Sequence, residues 1–562
     1  MMIRNPILAL GLGLLAPLAM AAESRPNILL LMADDMGYSD IGALGGEIDT
    51  PHIDGLVRDG RLLLDFHSAP SCSPTRAMLM TGNDQHLSGL GMMAEVRKRL
   101  YPEVPAERIR PGYEGELRGD AVTVAELLRD GGYHTLIAGK WHLGMAPEQG
   151  PERLGFAQSH VVLEGGSAHF KQAEMGLMAN YSSTFLHNGE PLALPDDFYS
   201  TTFFTDRLIE GIDAAGQAGR PFFAFAAYTA PHWPLQAPDA LLQKYRGHYD
   251  DGYQAVADRR LARLKALGLL GEDYPERAWL EGVPAWESLS REQQQRSARK
   301  MEAYAAMVEA MDREIGRLLD HLKATGAYDN TLILFTSDNG PESVDREQPI
   351  QDWVNRHFDN SLDNLGRANS FIAYGKAWAQ VSAQPFRGFK QGILEGGIRV
   401  PLVAHFPARV EAGISRELAS MRDIMPTLLE LAGVALPGIE YRGRPTLPVQ
   451  GSSLLAHLSD ATRPASPASA GLGWEVDGSA AIRRGSMKLV HAPRQLGAGW
   501  RLFDLAADPG ERHDLATERQ ELVKTMLADW RHYAQLNNIA LNADLTPATP
   551  VREAPGQRMA AQ

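Results

Sequence analysis

The sequence predicts an α/β sandwich, a large mixed and mostly parallel sheet covered by helices on both faces, followed by a smaller α+β subdomain with an antiparallel sheet. Three observations carry this reading. Four short, almost uninterrupted apolar runs recur along the chain, the length of strands rather than of buried helices. Each run stops in polar residues capable of chemistry. Amphipathic helical segments that end in glycine lie between them.

The first run, 27–33, ends in Asp34 and Asp35. The second, 133–138, ends in Gly139, Lys140, Trp141 and His142, and the third, 222–228, leads to Pro231 and His232. The fourth, 330–337, ends in Asp338, Asn339 and Gly340. Continuous apolar runs suit strands of a parallel sheet buried on both faces. Residues 122–129 read as a helix stopped by Gly131 and Gly132. Residues 301–323 set Tyr304, Val308, Met311, Ile315, Leu318 and Leu322 on one helical stripe, closed by Gly326. Strand–helix alternation implies right-handed crossovers, and ligands of such sheets gather at the carboxyl ends of the strands. All four polar clusters fall there.

Residues 240–300 are charged and helix-prone, an insertion outside the sheet. Residues 341–386 lack periodicity and read as an active-site loop. Its Trp353, Phe371, Tyr374 and Trp378 suit a flat aryl or steroidal group, or form the loop's own core. A Pro/Ala/Ser run at 463–470 marks a boundary region. Beyond it lie short strands at 480–484, 487–491 and 500–503 and a helix at 515–533. The division expected is a main domain at 24–445, a C-terminal subdomain at 446–541 and a disordered Ala/Pro-rich tail at 542–562.

Composition excludes several classes. With 44% hydrophobic and 22% charged residues the chain is not globally disordered. A net charge of −14 argues against a general nucleic-acid binder. One cysteine leaves no intramolecular disulfide framework and no Cys-rich zinc site. Residues 1–21 show Arg4, an apolar run and Ala19-Met20-Ala21, the layout of a secretory signal peptide. The run is broken by Pro17 and is too short to span a bilayer. The mature chain is expected in the periplasm or secreted, without membrane insertion, and as a monomer.

Asp34, Asp35, Asp338 and Asn339 offer oxygens from two strand ends, as a hard cation such as calcium requires; N-capping of the following segments is the plainer reading. Cys72 lies in Ser71-Cys72-Ser73-Pro74-Thr75-Arg76, and Pro74 suits the first turn of a helix. A group there meets free backbone N–H groups and the positive end of the helix dipole, as a bound sulfate or phosphate would. A buried apolar cysteine and a plain thiolate nucleophile activated by Arg76 are the alternatives.

Cys72-Ser73-Pro74-Thr75-Arg76, with its extension to Thr81-Gly82, resembles the sulfatase signature C-x-P-x-R. The resemblance continues through Gly139-Lys140-Trp141-His142-Leu143-Gly144, Ala230-Pro231-His232-Trp233-Pro234, Ser337-Asp338-Asn339-Gly340, Leu502-Phe503-Asp504-Leu505 and Asp508-Pro509-Gly510-Glu511. Over nearly its whole mature length the chain is similar to bacterial type I arylsulfatases. That resemblance implies an alkaline-phosphatase-like fold and one calcium ion per chain, held by Asp34, Asp35, Asp338, Asn339 and residue 72. It also implies that a formylglycine-generating enzyme converts Cys72 to 3-oxoalanine (formylglycine) before folding.

The implied reaction hydrolyses a small-molecule sulfate ester, most simply an aryl sulfate, through a sulfated formylglycine hydrate. One oxygen of the hydrated aldehyde attacks sulfur, with Asp338 taking its proton and Arg76 and Lys140 holding the diol. Lys140, Lys390 and His232 grip the sulfate, His232 or Lys390 protonates the leaving oxygen, and His142 removes the second diol proton so that sulfate is expelled. A phosphonate or phosphodiester hydrolase on the same fold and a non-catalytic periplasmic binder of sulfated ligands are the alternative readings.

Overall fold

In the computed structural model, which describes residues 25–178, 181–274, 282–345, 350–465 and 471–551, an 11-stranded sheet organises the main domain. Its strands are β1 (Asn27–Ala33), β2 (Arg61–His67), β3 (His134–Lys140), β4 (Gln158–Val162), β5 (Phe185–His187), β6 (Glu190–Pro191), β7 (Phe222–Ala227), β8 (Thr331–Ser337), β9 (Arg399–His405), β10 (Gly413–Ser415) and β11 (Ala419–Ser420). The spatial order is β10-β2-β9-β8-β1-β7-β3-β4-β5-β6, with β11 also on β2. The centre, β8-β1-β7-β3-β4, is parallel. β9 runs against both its neighbours, and β5 and β6 are antiparallel at the far edge.

Side chains alternate across β1 because a strand's period is two. Leu29, Leu31 and Ala33 enter one core with Tyr304, Val308, Met311 and Ile315 of the helix Arg291–Ala324. Ile28, Leu30 and Met32 enter the other, with Leu127 and Leu128 of the helix Val124–Asp130 and Leu428 of the helix Ile424–Ala432. Burial on both faces is why the run shows no polar alternation. The Arg291–Ala324 helix begins well before Met301. Ser290 Oγ accepts from Gln293 N–H (3.3 Å) and Gln293 Oε1 from Ser290 N–H (2.8 Å), a capping box that starts the helix ahead of its apolar stripe.

A two-residue-strand hairpin (β12, Glu440–Tyr441; β13, Arg444–Pro445) precedes the C-terminal meander of β14 (Leu472–Val476), β15 (Ser479–Arg484), β16 (Met487–His491) and β17 (Arg501–Asp504). One face of the meander sets Trp474, Val490 and Phe503 on Ile393, Leu394 and Ile398 of the main domain. The other packs on Met526 and Trp530 of the helix Gln520–Leu536. Charged residues stitch the same boundary: Lys488 Nζ donates to Glu395 Oε1 (2.7 Å) and Glu511 Oε1 (2.9 Å).

Residues 542–551 differ from the disorder expected of them. Arg110 N–H donates to Pro550 O (2.8 Å), Ala548 N–H to Ala540 O (2.8 Å), and Ile109 bridges Val551. Val551 closes a small apolar cluster with Val96, Ile109 and Tyr113, so this stretch has a packing partner that its composition does not advertise. The expected leader and residues 552–562 lie outside the described residues. No helix among the described residues is long and apolar enough to cross a membrane.

Candidate active site

The carboxyl ends of β1, β3 and β8 converge on the helix Cys72–Thr81. Asp34 N–H donates to Ala230 O (3.0 Å) and Asp338 N–H to Ala33 O (3.1 Å), which ties the two acidic turns and the His232 loop together. Asp35 takes a left-handed φ of 65° and His142 one of 60°, conformations that a non-glycine residue adopts at a cost the surroundings must offset.

Cys72 is the first residue of its helix, with Ser71 extended before it and Pro74 in the first turn. Its Sγ lies 3.4 Å from Asp34 Oδ1 and 3.6 Å from Asp35 Oδ1. Arg76, one turn along the same face, donates through Nε (3.2 Å) and Nη2 (2.9 Å) to Asp338 Oδ2 and through Nη1 to Lys140 O (2.9 Å). Lys140 Nζ spans both oxygens of Asp34, at 3.0 and 2.7 Å. Lys390 Nζ donates to Asp35 Oδ2 (2.8 Å) and lies 3.8 Å from Glu342 Oε2. Its loop is fixed by Lys390 N–H on Pro341 O (3.0 Å) and Gln391 N–H on Pro70 O (2.7 Å).

Three buried carboxylates therefore face three buried cations. Burial, together with Asp338 and Asp35, pushes Asp34 up to about 7 in spite of Lys140. Burial acts the same way on Asp338, but Arg76, Lys140 and Lys390 outweigh it and hold that carboxyl well below the usual range. Burial works against the charges of Lys140 and Lys390, and Asp34 beside the one and Asp35 beside the other more than offset it, raising both. Burial and the charge on Asp338 push the Cys72 thiol well above its ordinary value.

His232 Nδ1 donates to Trp233 O (2.6 Å), so Nε2, 3.6 Å from Asp35 Oδ2, carries the lone pair. Burial, then Lys390 and Lys140, holds this ring well below its ordinary value and neutral. His142 Nε2 lies 3.2 Å from each oxygen of Glu95, and its Nδ1 is buried without a partner. Burial lowers His142 too, with Glu95 opposing. Gly165 and Gly166 let the chain after β4 pass both rings: a Cβ would sit 3.0 Å from His142 Cε1 at the first and 3.2 Å from His232 Nδ1 at the second.

Asp34, Asp35, Asp338 and Cys72 present ligand atoms all within 4.8 Å of one another. Asn339 Nδ2 donates to Asp35 Oδ1 (2.7 Å) and Gly340 O (2.9 Å), while its Oδ1 is buried with no partner. An orphaned amide oxygen among carboxylates is the donor set a hard cation takes, so these residues fit calcium.

Every site residue singled out in the sequence is drawn into this one cluster. Glu95, Tyr181 and Glu342 were not singled out. Glu95 sits in a helix, Ala94–Leu100, whose Glu-Val-Arg-Lys-Arg run reads as solvated surface. The cavity above Cys72, about 260 Å³, is walled by Met93, Val96, Leu177, Met178, Trp233 and Ile350. The loop aromatics do not line it: Trp353 and Phe371 pack behind Trp233, while Tyr374 and Trp378 belong to the main core. The expected loop carries two short helices, Gln351–His357 and Gly375–Ser382, which hold Trp353 and Trp378 and turn these aromatics into the core.

A family model described as Sulfatase matches residues 26–434, and a model described as N-sulphoglucosamine sulphohydrolase, C-terminal, matches 389–535. An uncharacterized sulfatase of Schizosaccharomyces pombe is 40% identical over 91% of this chain and 94% of its own length. An arylsulfatase of Klebsiella aerogenes is 39% identical over 78% of this chain and 92% of its own. Among solved structures, Ps i-CgsB aligns with a TM-score of 0.64 at 25% identity, over 92% of this chain and 94% of that one. The phosphonate monoester hydrolase of Agrobacterium radiobacter, at 21% identity and a TM-score of 0.52 over 94% of this chain and all (100%) of that one, shares the fold. The chain belongs to the sulfatase family and is a sulfuric ester hydrolase with the alkaline-phosphatase-like fold of its structural relatives.

Proposed function

We propose that this hydrolase acts on sulfate esters of apolar phenols and alcohols, aryl sulfates foremost, with formylglycine made from Cys72 and one calcium ion. The observation that carries the reading is the placing of Cys72. It opens a helix beside three carboxylates and three cations, at the floor of a cavity with apolar walls. The arylsulfatase relative supports the aryl preference.

Formylglycine made from Cys72 would, as its hydrate, supply two oxygens on one carbon, one a nucleophile for sulfur and the other able to re-form the aldehyde as the C–O bond to sulfate breaks. Calcium, held by Asp34, Asp35, Asp338, Asn339 and residue 72, supplies when bound a Lewis acid for the sulfate and nucleophile oxygens. Asp338, ionised and fixed by Arg76, accepts the attacking oxygen's proton. Lys140 and Lys390, both buried, balance the sulfate's charge. Lys390, which keeps its proton, donates it to the leaving oxygen, whereas His232 Nε2 bears a lone pair and orients the ester. His142 Nδ1 is the base for the second oxygen.

Cys72 is 1% exposed, so the modifying enzyme has to reach it before the chain folds. The signal-peptide layout of residues 1–21 supports export of the mature chain. The test compares kcat/KM on an aryl sulfate with that on the matched aryl phosphate diester. A preference for the sulfate of at least about a hundredfold, roughly 3 kcal/mol of transition-state discrimination, supports the reading, and equal or reversed rates contradict it.

A further inference from the structure

The wall that begins at His142 rises along the helix Ala94–Leu100. Glu95 on its first turn is held between His142 Nε2 and Tyr181 Oη. Val96 and Arg99 continue along the same side into the cavity. Residues four apart on a helix sit about 5–6 Å apart on one face, so Arg99 stands one turn further out than the carboxylate touching His142. Met93, Val96, Leu177 and Met178 make an apolar stretch of the wall, beside Tyr181 and Gln391, and offer no hydrogen bonds to a sugar's hydroxyls.

Arg99 breaks this apolar collar. It is exposed and, among the described residues, has no hydrogen-bond or ion-pair partner. The acid whose charge it faces, Asp477, has Arg494 at 3.8 Å. Of the basic residues Arg97, Lys98 and Arg99 of this helix, Arg99 is the one that lines the cavity, on a chain whose net charge is −14. The pairing of an apolar collar with one open guanidinium selects for a ligand that is apolar in its middle and anionic at its far end.

We infer that Arg99 is a specificity-determining residue that binds a second anionic group, a carboxylate or sulfonate, on the leaving group of the ester. The preferred substrates are then apolar aryl or alkyl sulfates with an acid group at the end away from the scissile sulfate. This rests on the sulfate-ester reading of the site. Pairing with an exposed guanidinium is modest and weakens with salt.

The test uses two naphthyl sulfates that are identical except for a carboxylate or a carboxamide on the distal ring, which leaves the scissile phenol nearly unchanged. At low ionic strength the full-length wild type is expected to favour the carboxylate ester by about fivefold to tenfold in kcat/KM, through KM, with the preference shrinking as salt is added. Arg99→Gln brings the ratio to about one, Arg99→Lys keeps part of it, and Arg99→Glu reverses it. Turnover of both esters at equal kcat/KM by the wild type, or a preference that survives Arg99→Gln, overturns the role of Arg99. Failure to turn over either ester instead overturns the sulfate-ester reading beneath it.

Discussion

Glu95 presents both carboxylate oxygens to His142 Nε2, each at 3.2 Å, and the ring's other nitrogen is left buried and unpartnered. A carboxylate only accepts, so Nε2 carries the proton and Nδ1 the lone pair. Tyr181 Oη, donating to Glu95 Oε1 at 2.8 Å, holds the carboxylate in place. A helix residue far from any strand end thus sets which nitrogen of His142 keeps a lone pair.

Glu95→Ala is expected to lower kcat about tenfold to a hundredfold with KM little changed, because the ring loses its orientation rather than its contact with substrate. Removing the carboxylate also removes the charge that opposes burial, so His142 falls further below its ordinary value. Unaltered kcat in steady-state assays would show that Nδ1 needs no such orienting partner.

Calcium is expected to raise the melting temperature by several degrees, and chelation to abolish both that gain and activity reversibly. Asn339→Ala removes the orphaned amide oxygen and should shrink the calcium-dependent gain while leaving the three carboxylates in place. A melting temperature indifferent to calcium and chelator in the wild type counts against the ion.

Cys72→Ala should abolish turnover and leave the fold intact, since a small buried side chain loses little packing. Cys72→Ser provides one oxygen instead of two and should give at most a single turnover. Sustained turnover by purified Cys72→Ser protein contradicts the need for a diol.

The seam between the domains has its own pH dependence. His86 Nδ1 lies 2.8 Å from Asp84 Oδ1 and Nε2 2.9 Å from Glu475 Oε2 of the C-terminal sheet, while Tyr533 donates to Asp84 Oδ2. Burial opposes the charge on His86, but Asp84 and Glu475 raise it to about 9 from an ordinary 6.5. The stabilisation, on the order of 3 kcal/mol, is complete below about pH 6.5 and fades as pH climbs through about 9. The melting temperature of His86→Gln should fall well below wild type at about pH 6 and approach it at about pH 10. A gap that stays constant across that range refutes the charged state.

The parts of the fold legible in the sequence are those whose burial is symmetric. β1, β3, β7 and β8 are covered on both faces and so stand out as apolar runs with chemistry at their ends. β2 and β9 were not legible, because Arg61, Asp65, His67, Arg399 and His405 interrupt them. Two of them are buried in pairs, Asp65 with Arg483 at 2.6 Å and His67 with Glu395 at 3.0 Å, partners hundreds of positions away that no local pattern discloses. The site shows the same division. Asp34, Lys140 and Asp338 announce themselves by ending strands, whereas Glu95 and Arg99 lie in a charged helix whose functional face appears only when it is set against His142.

The central claim is that residue 72 works as an aldehyde and not as a thiol. Mass spectrometry of the peptide carrying residues 71–76, taken from protein whose turnover has been measured, tests it most directly. Formylglycine or its hydrate is expected at position 72, in a fraction that scales with specific activity across preparations. An intact Cys72 thiol in fully active protein would contradict it.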